Sequence, residues 1–231
     1  MERSTSSNLL PPFSALRHII ALAVLASLAL VPAHGQELSL NARLLTAARD
    51  GSVSAVRQLL AQGAVADSRN RIGDTPLIIA AKRGYTELAR VLIDYGANVR
   101  AQALNKVTPL MAAAYEGNEE LVRLLLDKGA DPAPLDRVHK TAMIYAVGQG
   151  HTRVVELLLD AGVDPNAVYD NDTTALMWAA AYGHVNTMRL LLARGARTDA
   201  RDNRGKTALA IARETKQDGA VGVLQEAGAP E

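Results

Sequence analysis

The chain has 231 residues, 25 Lys and Arg against 24 Asp and Glu, no cysteine, and aromatic side chains at only 3%. A balanced charge gives no electrostatic case for nucleic acid, which needs clustered Lys and Arg, or for an anionic lipid surface. The lack of cysteine excludes a disulfide framework, thiolate chemistry, cysteine-based zinc sites and a lipid-modified N-terminal cysteine.

The chain opens with Arg3 and Arg17 against Glu2. A run of 13 residues, Ile19 to Val31, follows and is apolar apart from Ser27; then come Pro32-Ala33-His34-Gly35. This is the layout of a secretory signal peptide over residues 1–35, cut after Gly35. The alternative is an uncleaved anchor, for which the run is short, since a membrane span needs about 20 apolar residues. Cleavage removes Arg3, Arg17 and Glu2, so residues 36–231 carry 23 basic and 23 acidic side chains. Such a mature chain is expected to have no stable membrane insertion and to be held by packing alone.

From residue 41 onward the chain repeats itself every 33 residues. Gly51, Gly84, Gly117, Gly150 and Gly183 form one series, Gly63 through Gly228 a second, and Thr75, Thr108, Thr141, Thr174 and Thr207 a third. A fixed period of this size implies a stacked solenoid and not a single globule. The frame gives six units, near residues 41–70, 71–103, 104–136, 137–169, 170–202 and 203–231. Each predicts two short helices. The first follows the Thr, a good N-cap, with Pro76 and Pro109 suited to the first turn. The second carries an apolar stripe, as in Leu121, Val122, Leu124, Leu125 and Leu126, and ends at a Gly. Helices of eight to ten residues are marginal alone, so they must lean on neighbours. The column Ala80, Ala113, Ala146, Ala179 and Ala212 keeps adjacent first helices close, while Leu59-Leu60, Leu92-Ile93, Leu125-Leu126, Leu158-Leu159 and Leu191-Leu192 supply a continuous core. In the sixth unit Lys216 replaces the inter-helix Gly and Gln225 interrupts the leucine pair, as a polar terminal cap requires. Stretches rich in Asp, Asn, Pro and Gly, such as Gly162-Val163-Asp164-Pro165-Asn166, predict hairpin arms between units.

Thr108-Pro109-Leu110, Ala113-Ala114, Gly117, Leu124-Leu125-Leu126 and Gly129-Ala130-Asp131 resemble the ankyrin repeat pattern. The resemblance covers about residues 41–231 and implies an all-α solenoid of six helix-turn-helix repeats with short hairpin loops. One column departs from it. Where the family has His after Leu, this chain has Ile78, Met111, Ile144, Met177 and Ala210.

Chemistry-bearing residues are sparse. His151 and His184 lie 33 apart after the inter-helix Gly and read as one structural position. His139 sits in a predicted hairpin beside Lys140, with no second ligand at metal-binding spacing. Glu116, Glu119 and Glu120 read as a solvated face and not as a catalytic pair. Nucleophile-elbow, P-loop and dinucleotide motifs are absent, and no cofactor is expected. Asn171-Asp172-Thr173 matches a glycosylation acceptor but reads as a turn.

The aromatic residues carry more information. Tyr145 and Trp178 share one column of the first helices, Tyr182 lies four residues after Trp178 on the same face, and Tyr115 lies one turn further along its own helix. The resemblance implies that first helices and hairpin tips line a concave groove, which gathers Tyr115, Tyr145, Trp178 and Tyr182 in units three to five. Tyr and Trp are enriched at binding hot spots. Lys82, Arg83, Glu116 and Gln149, with Arg71, Ile72, Asp74, Asn105, Val107, Arg137, Lys140, Asp170 and Arg204 on the hairpins, change identity from unit to unit while the core columns do not. They are candidate recognition residues. The expected function is non-enzymatic binding of a protein partner, as a periplasmic adaptor. The alternatives are an immunity or inhibitor protein acting on a toxin or hydrolase, a small-ligand binder and, last, a hydrolase. Secretion, or anchoring by an uncleaved leader, is the alternative location.

Overall fold

The five threonines do what their position predicts. In this computed structural model, which describes residues 33–230, Thr75, Thr108, Thr141, Thr174 and Thr207 each accept a hydrogen bond from the backbone N–H three residues on, at 3.1–3.4 Å. Each starts the first helix of a unit. In chain order the described helices are α1 (Ala33–Arg49) and α2 (Val53–Ala61), α3 (Pro76–Lys82) and α4 (Thr86–Asp94), and α5 (Pro109–Glu116) and α6 (Glu119–Asp127). Then follow α7 (Ala142–Gln149) and α8 (Thr152–Asp160), α9 (Ala175–Ala181) and α10 (Val185–Ala193), and α11 (Ala208–Glu214) and α12 (Asp218–Glu226). These are six helix pairs, one per unit, and Leu40–Glu231 form one compact body. The leader up to Pro32 lies outside the described residues, and the expected cut after Gly35 falls within the first turn of α1.

First helices pack on first helices and second helices on second helices, in sequence order. The alanine column makes this possible. Ala80, Ala113, Ala146, Ala179 and Ala212 are all fully buried. In the leucine pairs from the second unit to the fifth the first member, Leu92, Leu125, Leu158 or Leu191, is fully buried and the second is half-buried, while Leu59 and Leu60 of the first unit are both buried. Each such Leu contributes about 1.5–3 kcal/mol. The column that departs from the family is buried as well, at Ile78, Met111, Ile144 and Met177, so apolar packing stands where the family has a polar side chain. Gln225 in α12 is exposed, which gives the last unit its wettable outer side.

A second set of contacts staples the third, fourth and fifth units each to the one before it. In the position after the inter-helix Gly, Asn118 donates to Gly84 O and Thr86 Oγ1, while Nε2 of His151 and of His184 donates to Tyr115 O and Gly148 O at 3.0 Å. The structural role expected for the two histidines is this staple. It also explains why Gly117 and Gly150 are glycines. Both have positive φ, and a Cβ would meet the Nδ1 of His151 at 2.5 Å or of His184 at 2.7 Å. Lys216 keeps the same left-handed backbone, φ 58, without being glycine.

Between units the chain forms arms ending in tight turns. Asn70, Asp136 and Asp202 organise three of the turns. Each Oδ1 accepts from two backbone N–H groups, those of Ile72 and Asp74, of Val138 and Lys140, and of Arg204 and Lys206, at 2.9–3.0 Å. At the entry to the fifth unit Tyr169 occupies that position, and the turn changes: Asn171 and Asp172 both take positive φ, 59 and 58.

Candidate partner-binding site

The four aromatic residues singled out by their columns do come together. Tyr115 of α5 meets Tyr145 of α7 edge to face, ring centroids 5.8 Å apart and planes at 82°. Trp178 of α9 stacks on Tyr182 at 6.1 Å and 22°, and Tyr182 in turn stacks on His184 at 6.0 Å. Lys140, from the turn before α7, joins the two pairs. Its ammonium lies 5.7 Å from the Tyr145 ring centroid and 5.2 Å from that of Trp178. Tyr115 and Tyr182 are 47% and 53% exposed, while Tyr145 and Trp178 are half-buried, so the rings form a face and not a filled interior.

Polar tips fix the inner rings. Trp178 Nε1 donates to Thr173 Oγ1 at 2.9 Å. The Tyr145 hydroxyl donates to Asp136 Oδ2. Burial, and then the Asp136 carboxylate, push the Tyr145 phenol well above its ordinary range, so it stays protonated and donating. Lys140 therefore faces neutral rings. Its side chain has no carboxylate or other hydrogen-bond partner among the described residues.

Two hollows flank this centre. One, of about 200 Å³, is lined by Lys82, Val107, Met111, Tyr115, Glu116 and Tyr145. The other, of about 180 Å³, is lined by Thr173, Met177, Trp178, Tyr182, Arg204 and Ile211. The remaining candidates fall into two groups. Arg71, Arg83, Arg137, Glu116 and Gln149 are exposed and their side chains have no partner among the described residues. Asp74 and Arg204 have partners within the chain. Asp74 is 4% exposed and bound by Lys82 at 2.8 Å, and Arg204 is bound to the buried Asp202 at 2.7 Å. Asp170 pairs with His139 at 3.0 Å, Ile72 is 60% exposed, and the Asn105 carbonyl accepts from Arg137 N at 3.0 Å. Sequence reasoning missed Asp136 and Thr173, which anchor the rings. The placement of Asp136 in one column with Asn70 and Asp202 was the available signal.

Among the described residues no group of His, Asp and Glu could hold a metal ion, and no helix is long and apolar enough to cross a membrane.

The family model described as "Ankyrin repeats (3 copies)" matches three times, over residues 44–136, 100–169 and 143–230. The chain is a member of the ankyrin repeat family. Ankyrin repeats generally mediate protein–protein interaction and are typically non-enzymatic scaffolds. Among solved structures, the crystal structure titled "EF0377 an Ankyrin Repeat Protein" is similar, with a TM-score of 0.73 and 29% identity over 80% of this chain and 98% of that one. No curated protein matches.

Proposed function

We propose that this ankyrin protein is an exported, non-enzymatic adaptor that holds a protein partner against the face formed by α5, α7, α9 and the neighbouring tips. The observation that carries the proposal is the pair of ring clusters joined by Lys140, with two half-exposed tyrosines at its edges. Rings fixed by Asp136 and Thr173 are preorganised, which lowers the ordering cost of binding. The export step rests on the leader pattern of residues 1–35 and favours the periplasm.

The test has two arms. Trp178→Ala with Tyr182→Ala weakens partner binding by more than about 2 kcal/mol while circular dichroism stays helical; unchanged affinity for a partner captured from envelope extract removes the cluster from the proposal. A fusion of residues 1–35 to a reporter active only after export should give signal, and a silent fusion removes the periplasmic part. A resident envelope protein as the captured partner fits an adaptor, and a toxin fits an inhibitor.

A further inference from the structure

The charges of the first-helix face are not balanced as those of the whole chain are. Arg71, Arg83, Lys106, Arg137 and Lys140 have no side-chain partner among the described residues. Three of the acids nearby are paired with cations within the chain, Asp74 with Lys82, Asp202 with Arg204 and Glu214 with Lys206, while Asp170 lies 3.0 Å from the His139 ring. Glu116 and Asp172 remain exposed without a partner, and the buried Asp136 is held by the Tyr145 hydroxyl and two backbone N–H groups and by no cation. At its accessible positions the face therefore presents more cations without a partner, Arg71, Arg83, Lys106, Arg137 and Lys140, than acids without a cation, Glu116, Asp170 and Asp172. Lys140 is the one among these cations that is half-buried, with its ammonium held between the rings of Tyr145 and Trp178. A cation over two rings keeps hydrogen-bond donors to spare, and an incoming carboxylate would meet them in partly desolvated surroundings where the bond is strengthened.

Geometry adds a spacing. The hollow beside Tyr115 is centred on the third unit, the hollow beside Tyr182 on the fifth, and Lys140 belongs to the fourth between them. Adjacent packed helices stand about 8–10 Å apart, so two units span about 16–20 Å. An extended chain advances about 3.3 Å per residue, so it covers that span in about five or six residues.

We infer that the partner segment is an extended acidic stretch of protein: two apolar side chains about five or six positions apart, one in each hollow, with an Asp or Glu midway whose carboxylate binds Lys140. This rests on the proposal that the face binds protein, and it goes further by naming the chemistry. The carboxylate answers the unpaired cations of the face, and the apolar pair packs against the exposed ring of Tyr115 in one hollow and of Tyr182 in the other.

The test uses the full chain and random twelve-residue peptides displayed on phage, followed by titration of synthetic peptides. Trp178 is the only tryptophan, so its fluorescence reports binding at the site itself when the peptides contain none. The expected result is enrichment of sequences with a central acid between apolar residues at that spacing. Replacing the acid by Gln should cost about tenfold on the parent protein and almost nothing on Lys140→Met, a variant that keeps an unbranched stem over the rings. Enriched peptides that depend on Trp178 but lack the acid, or that respond to Gln equally in Lys140→Met, overturn the acidic-segment inference and leave the protein-binding face standing. Displacement of bound peptide by inorganic phosphate at about 10 mM also overturns it, by assigning Lys140 to a phosphate group. No enrichment, or peptides indifferent to Trp178→Ala, overturns both.

Discussion

The arm entering the fourth unit meets its neighbours in two different ways. Toward the arm of the third unit it is tied at both ends. Arg100 donates to Gly129 O at 2.8 Å near the base, and Arg137 N donates to Asn105 O at 3.0 Å at the tip. The other arms are linked similarly. Asn98 N donates to Asp67 Oδ1 and Leu104 N to Ile72 O between the second and third, while Asn166 bridges to Gly195 O and Arg197 N, and Asn203 N reaches Asn171 O, between the fifth and sixth. Between the fourth and fifth, none of these backbone ties is present among the described residues. The base position is Ala133, which has no polar group to reach across, and the tip of the fifth unit has the altered turn at Asn171 and Asp172. An apolar hollow of about 400 Å³ opens there, lined by Pro132, Ala133 and Leu135 on one side and by Val163, Val168 and Tyr169 on the other. What spans the gap is made of side chains, among them the His139–Asp170 contact, Tyr169 bonded to Thr141, and Lys140 between Tyr145 and Trp178. The lesson is that the candidate site lies across the one seam where, among the described residues, the arms share no backbone bond, although the helices there keep the His184–Gly148 O staple, so the geometry of the tips is set by side chains.

The core does not share this difference, and the largest expected effects test that. Leu125 in α6 and Leu158 in α8 are both fully buried on the two sides of the fourth unit's neighbourhood. Leu125→Ala and Leu158→Ala should each cost about 2–5 kcal/mol in urea denaturation and agree within about 1 kcal/mol. A much cheaper Leu158→Ala would mean that the looseness of the arms extends into the helices, and the comparison would have to be redrawn around the whole seam.

A smaller effect should repair the seam. Asp131-Pro132-Ala133 and Asp164-Pro165-Asn166 have the same local layout, with Ala133 N and Asn166 N bound to the preceding Asp Oδ1 at 2.9 and 2.8 Å. Only the side chain differs. Ala133→Asn places an amide where, one unit later, Asn166 finds its two partners; the equivalent groups are Gly162 O and Asp164 N. The expected gain is about 1 kcal/mol, read as a raised urea midpoint at unchanged slope. A neutral or destabilising result would show that the arms diverge too far for the bridge, and that the missing tie follows from the gap and does not cause it.

These contrasts also mark what the sequence could tell. The helices, caps and core columns were legible because each depends on local chemistry that recurs: a threonine three residues before an N–H, a buried alanine between helices, a leucine on every second helix. The gathering of Tyr115, Tyr145, Trp178 and Tyr182 was legible for the same reason, since columns of one frame become neighbours in a stack. The pairing of Asp74 with Lys82 was not, although both stood out as variable. A variable position can be occupied from within its own unit, and identity alone does not say so. Nor did the sequence disclose that Lys140 would rest on two rings, because that depends on a tip loosened from its neighbour and on a phenol already bound to Asp136. The signal-peptide expectation for residues 1–35 lies largely outside the described residues and is carried by pattern alone.

The smallest effect is the most direct. At the tips, Leu104 N, Arg137 N and Asn203 N each donate to a carbonyl of the preceding tip, whereas Asp170 N has no backbone or side-chain acceptor. Amide exchange followed by NMR should show the first three slowed relative to free peptide and Asp170 exchanging near the free-peptide rate. Removing the exposed His139–Asp170 contact with His139→Ala should leave the melting temperature where it is, since an exposed contact of this kind contributes little, and should leave exchange at Leu104 and Arg137 unchanged. Slow exchange at Asp170 would mean that the fourth and fifth tips are bonded in solution after all. Lys140 would then sit on a rigid ladder like any other tip residue, and the link between the open seam and the proposed binding face would be lost.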